Sequence, residues 1–144
     1  MANIRPAEPR DAALILTFIR DLAEYERLAH VVKASLGDIE RLLFDPAPRA
    51  FCEIAEAGGR PVGFVLWFYT VSTFEGRHGI HLEDLYVISE ARGSGVGRAL
   101  MKSLAGRCVR EDLARLEWAV LDWNTPEIAF YDGLGGWGLD HAAT

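Results

Sequence analysis

Cysteine is scarce in this sequence, occurring only at Cys52 and Cys108 among 144 residues. That excludes a disulfide scaffold or a paired-cysteine zinc site and makes a reducing, cytoplasmic compartment the expectation. Long hydrophobic runs are missing too. No stretch approaches the ~18 apolar residues of a bilayer helix, so no membrane is expected as a partner. The opening residues Met1 to Arg10 hold no apolar core and do not read as a secretory signal. Positive charge is in deficit, with 15 Lys and Arg against 21 Asp and Glu and a net charge of −6. Such a chain lacks the basic surface needed for non-specific binding of nucleic acid. The acidic balance suits a cationic substrate, and equally suits plain solubility. The four histidines, His30, His78, His81 and His141, show no metal-ligand spacing, so no metal is expected and they read as surface or turn residues. Repeats and low-complexity segments are also absent.

What remains is ordinary globular material: half the residues are apolar and a quarter charged. The length suits one domain, 1–144, with a sizeable core. Strand and helix patterns alternate, which points to an α/β or α+β class. Ala2 to Pro6 is a short strand candidate. Ile15, Phe18, Ile19, Leu22 and Tyr25 recur at three- and four-residue steps and predict a helix over about Pro9 to Leu28. Ser35 and Asp38 form a capping-box pattern for a second helix ending near Phe44, before the prolines Pro46 and Pro48. Strands are predicted over Ala50 to Ala57, Val62 to Thr73 and Ile80 to Ile88. A helix follows from Gly95 to about Arg110, then a strand from Leu116 to Asp122. A last short helix is predicted over Thr125 to Leu134, with Pro126 in its first turn.

The strongest local signal lies between the third of these strands and the helix after it: Arg92-Gly93-Ser94-Gly95-Val96-Gly97. Glycines at alternate positions permit tight turning and expose amide groups at a helix start, where partial positive charge favours phosphate. Arg92 and Arg98 add full charges. A phosphate loop of the nucleoside-triphosphatase type needs Lys-Ser/Thr after its last glycine, where Arg98 and Ala99 stand. A dinucleotide fingerprint needs its third glycine one residue later and opens a βαβ fold, whereas this loop comes late in the chain and Asp122, the acid that could serve the ribose, lies some 25 residues beyond Gly97. Arg-x-x-Gly-x-Gly fits without adjustment. A glycine-rich turn with no ligand is the remaining alternative.

That loop, placed after an apolar strand, resembles the pyrophosphate-binding loop of the GNAT superfamily of N-acetyltransferases. His81-Leu82-Glu83-Asp84-Leu85-Tyr86-Val87 is similar to the family strand that pairs with the pantetheine arm. Ala119-Val120-Leu121-Asp122-Trp123-Asn124 and Phe130-Tyr131 are similar to its later acetyl-CoA segments. Ile19 to Leu28 resembles the first helix of the subgroup holding the spermidine/spermine (diamine) and thialysine N-acetyltransferases. The run Ala119 to Asn124 and Ser72-Thr73-Phe74 favour the thialysine side. The resemblance implies a GNAT-type acyl-CoA N-acyltransferase fold, with a mixed, mostly antiparallel central sheet flanked by helices. It also implies a homodimer. The family closes its sheet with two further strands after the last helix. Gly135 to Thr144 diverges from that pattern, so the terminal strand is expected to be missing.

The implied activity is transfer of acetyl from acetyl-CoA to a primary amine of a small cationic substrate, a polyamine or a thialysine- or lysine-like molecule. A CoA-binding or dimer-partner module with weak or no catalysis is one alternative, and a protein-lysine acetyltransferase is another. Acetyl transfer needs a neutral amine, a donor for the oxyanion and a proton for the thiolate. Glu83 and Asp84 interrupt an apolar strand, which is costly unless they are partnered or solvated. Strict alternation along a strand sends them to opposite faces. By resemblance Glu83 acts as base through water, and Asp84 helps bind the amine. The alternative is that both acids cap a frayed strand edge.

By resemblance Tyr131 is the general acid and touches the cofactor; without it, a helical tyrosine reads as a core aromatic. Leu85, Tyr86 and Val87 are expected to pair with the pantetheine through their backbone, and Arg92, Gly93, Ser94, Gly95, Val96, Gly97 and Arg98 to hold the pyrophosphate. Asn124 is expected at the cofactor or, alternatively, as a helix N-cap. The subgroup resemblance also implies that Tyr25 and Glu26 contact the amine, Glu26 being otherwise an exposed helical carboxylate. No motif marks Cys52 or Cys108 as a nucleophile, which favours direct attack in a ternary complex over an acyl-cysteine route.

Overall fold

The computed structural model describes residues 2–120 and 139–143. Strand β1 (Asn3–Pro6) leads through a 3-10 turn (Pro9–Asp11) into helix α1 (Ala12–Tyr25). Helix α2 (Leu36–Phe44) follows, then the strands β2 (Phe51–Ala57), β3 (Arg60–Ser72) and β4 (Arg77–Val87). A 3-10 turn (Ser89–Ala91) precedes helix α3 (Val96–Arg110), strand β5 (Leu116–Val120) and strand β6 (Leu139–Ala143). Among the described residues no helix is long and apolar enough to cross a membrane. The predicted helix over Thr125 to Leu134 lies outside the described residues.

Local chemistry accounts for the helix boundaries. At α2 the capping box closes both ways: the Asp38 amide donates to Ser35 Oγ at 3.2 Å and the Ser35 amide to Asp38 Oδ2 at 2.9 Å. Helix α1 stops at Tyr25, three residues before the predicted end. Arg27 turns to a φ of 63°, which lets the Leu28 amide reach back to the Ala23 carbonyl at 2.7 Å. That left-handed residue terminates the helix as a glycine commonly does, and apolar periodicity alone does not reveal it.

The strands form one sheet in chain order, β1-β2-β3-β4-β5-β6. The pairs from β1 to β4 are antiparallel; β4 with β5 and β5 with β6 are parallel. A parallel step needs a crossover, and α3 supplies the one from β4 to β5. The sheet thus carries β6 where the sequence reading has it stop at β5. Leu139–Ala143 is short and ends in two alanines, so nothing in its own pattern announces a strand. It forms one by pairing with the edge of β5, from Leu116↔Leu139 to Val120↔Ala143.

Helices cover both faces of the sheet. Phe64 and Leu66 of β3 pack with Ile15 and Phe18 of α1 and with Ile39 and Leu43 of α2. Val65 and Trp67 of the same strand pack with Leu100, Met101 and Leu104 of α3 and with Ile80 and Leu116. A strand buried on both sides reads as a continuous apolar run, as Val62 to Trp67 does.

Candidate active site

Two features of β4 create a cleft. The parallel ladder with β5 runs from Ile80↔Leu116 to Leu82↔Trp118 and stops, although both strands continue. Beyond Leu82 the edge of β4 is free of β5, so its backbone can pair with an extended ligand. The second feature is a β-bulge. On β3, Leu66 faces Asp84 while the next residue, Trp67, faces Leu82, which leaves Glu83 as the extra residue.

The bulge overturns the expectation that the two acids point to opposite faces. Leu82 and Leu85 both pack on the α3 side, whereas Tyr86 packs on the α1 side. Asp84 stands in line with Leu66 and Cys52, both of the α1 core. Its carboxyl titrates at about 7, raised first by burial, then by the charge of Glu83, then by that of Glu26. Glu83 itself is exposed, with its Oε1 3.9 Å from His81 Nε2. Burial raises the Glu26 carboxyl as well. These three acids, from the end of α1 and the bulge of β4, gather negative charge in one place, and the buried member, Asp84, titrates closest to neutrality.

His81 is not the surface residue expected. Its ring stacks on Phe68 at 5.0 Å, and its Nδ1 lies 3.4 Å from Glu117 Oε1, which is also 3.2 Å through Oε2 from Arg115 Nε. The clue available in sequence is the His81-x-Glu83 spacing, which places both side chains on one face of a strand. Neither Glu117 nor Phe68 carries any such signal.

The cradle lies at the other end of the cleft. A cavity of about 540 Å³ is lined by Leu22 and Tyr25 of α1, by Leu85, Tyr86 and Val87 of β4, and by Arg92, Gly93, Gly95, Val96, Gly97 and Arg98. Gly93 and Gly95 take φ of 82° and 91°, values that favour glycine, and Gly95 is the N-cap of α3. A CoA pyrophosphate fits this place, because the first turn of a 15-residue helix presents unpaired amides there beside two arginines. Ser94 is not among the lining residues; its hydroxyl donates to the Ala91 carbonyl and so shapes the loop. Arg92 donates from Nε to the Val87 carbonyl at 2.9 Å, with its guanidinium 4.6 Å from the ring centre of Tyr25 and 5.5 Å from that of Tyr86. Tyr25, expected at the amine, therefore stands on the cradle side, while Glu26 adjoins the acids.

Helix α3 is fastened to the sheet behind the cradle. Buried Glu53 of β2 accepts from Ser103 Oγ at 2.6 Å and lies 3.7 Å from Arg107, which reaches Glu111 at 3.0 Å. Burial pushes the Cys52 thiol far up and raises that of Cys108, so both stay protonated and poor as nucleophiles. Asn124 and Tyr131 lie outside the described residues.

Comparison with known proteins agrees with this geometry. The model of the Acetyltransferase (GNAT) family matches residues 15–135. The thialysine N-epsilon-acetyltransferase of Bos taurus is 39% identical, over 96% of this chain and 86% of its own. Its Caenorhabditis elegans counterpart is 37% identical, over 86% and 76%. Among solved structures, the ribosomal-protein-alanine N-acetyltransferase of Brucella melitensis superposes with a TM-score of 0.77 at 21% identity, covering 94% of this chain and 92% of its own, a likeness of fold. An apolar strand that leaves its neighbour, a glycine cradle at a helix start, and this similarity over nearly the whole length agree: the chain belongs to the GNAT acetyltransferase family.

Proposed function

We propose that this chain transfers acetyl from acetyl-CoA to the terminal amine of a thialysine- or lysine-like molecule, or of a polyamine, by direct attack in a ternary complex. The observation that carries this reading is the acid group at the bulge, Asp84 with Glu83 and Glu26, set where β4 departs from β5 and next to the cradle. Acetyl-CoA supplies the activated acyl group as a thioester. The α3 N-terminus with Arg92 and Arg98 holds its pyrophosphate, and the backbone of Leu85, Tyr86 and Val87 aligns its pantetheine arm.

An alkyl ammonium holds its proton to pH ~10.4, so the protein must remove it before attack. Asp84, ionised over much of the neutral range, accepts that proton. Glu83 and Glu26 keep the site negative and draw the cationic substrate in. The deprotonated amine attacks the thioester carbonyl, the C–S bond breaks, the new amide nitrogen gives up its second proton, and the departing thiolate takes up a proton. Tyr131 is assigned that last proton transfer from the family resemblance. A homodimer is part of the proposal, supported by exposed Phe68, Val71 and Phe74 on the β3–β4 hairpin. Two free thiols suit the cytoplasm.

The test is thiol release from acetyl-CoA with a panel of thialysine, lysine, spermidine and ornithine. Release is expected with at least one of them. Measured CoA binding without release for any amine would reduce the protein to a binding module.

A further inference from the structure

The amine-side end of α1 and the first residue of the cofactor loop meet in a single contact. Arg92 lies between two aromatic rings, Tyr25 at 4.6 Å and Tyr86 at 5.5 Å, and its Nε is tied to the Val87 carbonyl at 2.9 Å. Tyr25 is the last residue of α1, and Tyr86 belongs to the segment of β4 free of β5. All three side chains line one cavity. We infer that Tyr25 is a positioning residue for the cofactor: its ring fixes the Arg92 guanidinium beside the glycine cradle, so the end of α1 helps set affinity for CoA before any amine is bound.

The physical reason is that an aromatic face attracts a guanidinium through its flat surface and leaves the in-plane N–H donors available to phosphate. A free arginine side chain must give up its rotamer freedom when it grips an anion. Arg92 has surrendered part of that freedom already, to two rings and one carbonyl. The contact is local to the loop, since the left-handed glycines Gly93 and Gly95 follow at once. It also explains why Tyr25 faces the cavity although its neighbour Glu26 adjoins the acids.

The inference rests on the reading of the cradle as a CoA site, and its test separates the two. CoA binding is measured by calorimetry, without amine, for the unmodified protein and for Tyr25→Leu, Tyr25→Phe, Arg92→Gln and the double variant Tyr25→Leu with Arg92→Gln. Tyr25 is a partly exposed helix-end residue, and thermal melting checks that each variant is folded. A cation–π contact of this kind predicts weakening of about three- to tenfold in Tyr25→Leu and rescue to within about twofold in Tyr25→Phe. In the Arg92→Gln background the leucine change should add almost nothing. Equal affinity for Tyr25→Leu and the unmodified protein overturns the inference, as does a full leucine effect without Arg92. If the unmodified protein binds no CoA at all, it is the functional reading that fails.

Discussion

An aspartate in water loses its proton near pH ~3.9. Asp84 keeps its own to about 7 because burial removes water from the carboxylate and two further carboxylates, Glu83 and Glu26, face it. Three consequences can be measured. Activity that needs ionised Asp84 rises with pH through about 7, so kcat/KM should show an acid limb there. Asp84→Asn should remove that limb and lower kcat/KM by about a hundredfold or more, within the usual range for a lost general base. Glu83→Gln should leave measurable turnover and move the limb to lower pH, because the charge that raises Asp84 is gone. Complete loss in Glu83→Gln with an unmoved limb in Asp84→Asn would return the role of base to Glu83. Stability follows with the opposite sign. The folded-state pKa is raised, so the folded protein holds the proton more tightly than the unfolded one. That contribution is whole below pH ~4 and is lost as pH rises to about 7. The melting temperature of Asp84→Asn relative to the unmodified protein should therefore increase between pH 5 and pH 8.

At the scale of elements, helix α3 matters through both of its ends. Its N-cap, Gly95, holds a φ of 91°, and alanine there should cost about 1–2 kcal/mol in backbone strain and loosen CoA binding. Denaturant unfolding and calorimetry read the two effects separately. Nearer its other end, Glu53→Ala would leave Ser103 and Arg107 without their buried acceptor and should destabilise the fold by about 2 kcal/mol, by chemical denaturation. At α2, Ser35→Ala breaks the capping box at a cost of about 1 kcal/mol. The helix signals were legible because caps, glycines and apolar periods are local. Ser35 with Asp38 and the Gly95 start were both found from residue types alone. The bulge at Glu83 was not, because it depends on which residues of β3 lie opposite. The end of α1 at Arg27 is not legible for a similar reason: a left-handed arginine carries no mark in sequence.

At the scale of the molecule, the acidic balance and the exposed hairpin bear on partners. Val71 is 68% exposed and Phe74 fully so. Apolar side chains standing out on one hairpin are candidates for contact with a second copy. Light scattering at micromolar concentration is expected to show a dimer, and Val71→Asp with Phe74→Asp should shift it toward monomer. A monomeric unmodified protein would remove the dimer from the proposal. The net charge of −6 predicts that KM for a dicationic substrate rises with added salt, as screening weakens long-range attraction.

Residue types and their near-neighbour spacing were enough for the order of elements from β1 to β5, the glycine loop and the identity of the acids. Each of these depends on residue type and near-neighbour spacing, which a chain carries with it before folding. Folding in three dimensions set which of the acids is buried, brought Tyr25 to Arg92 and His81 toward Glu83 and Glu117, and made Leu139–Ala143 a strand. Those outcomes depend on register, on a bulge and on the approach of segments distant in the chain. A carboxylate's proton affinity is set by the charges and the water around it, and that environment exists only once β4, β3 and α1 have come together.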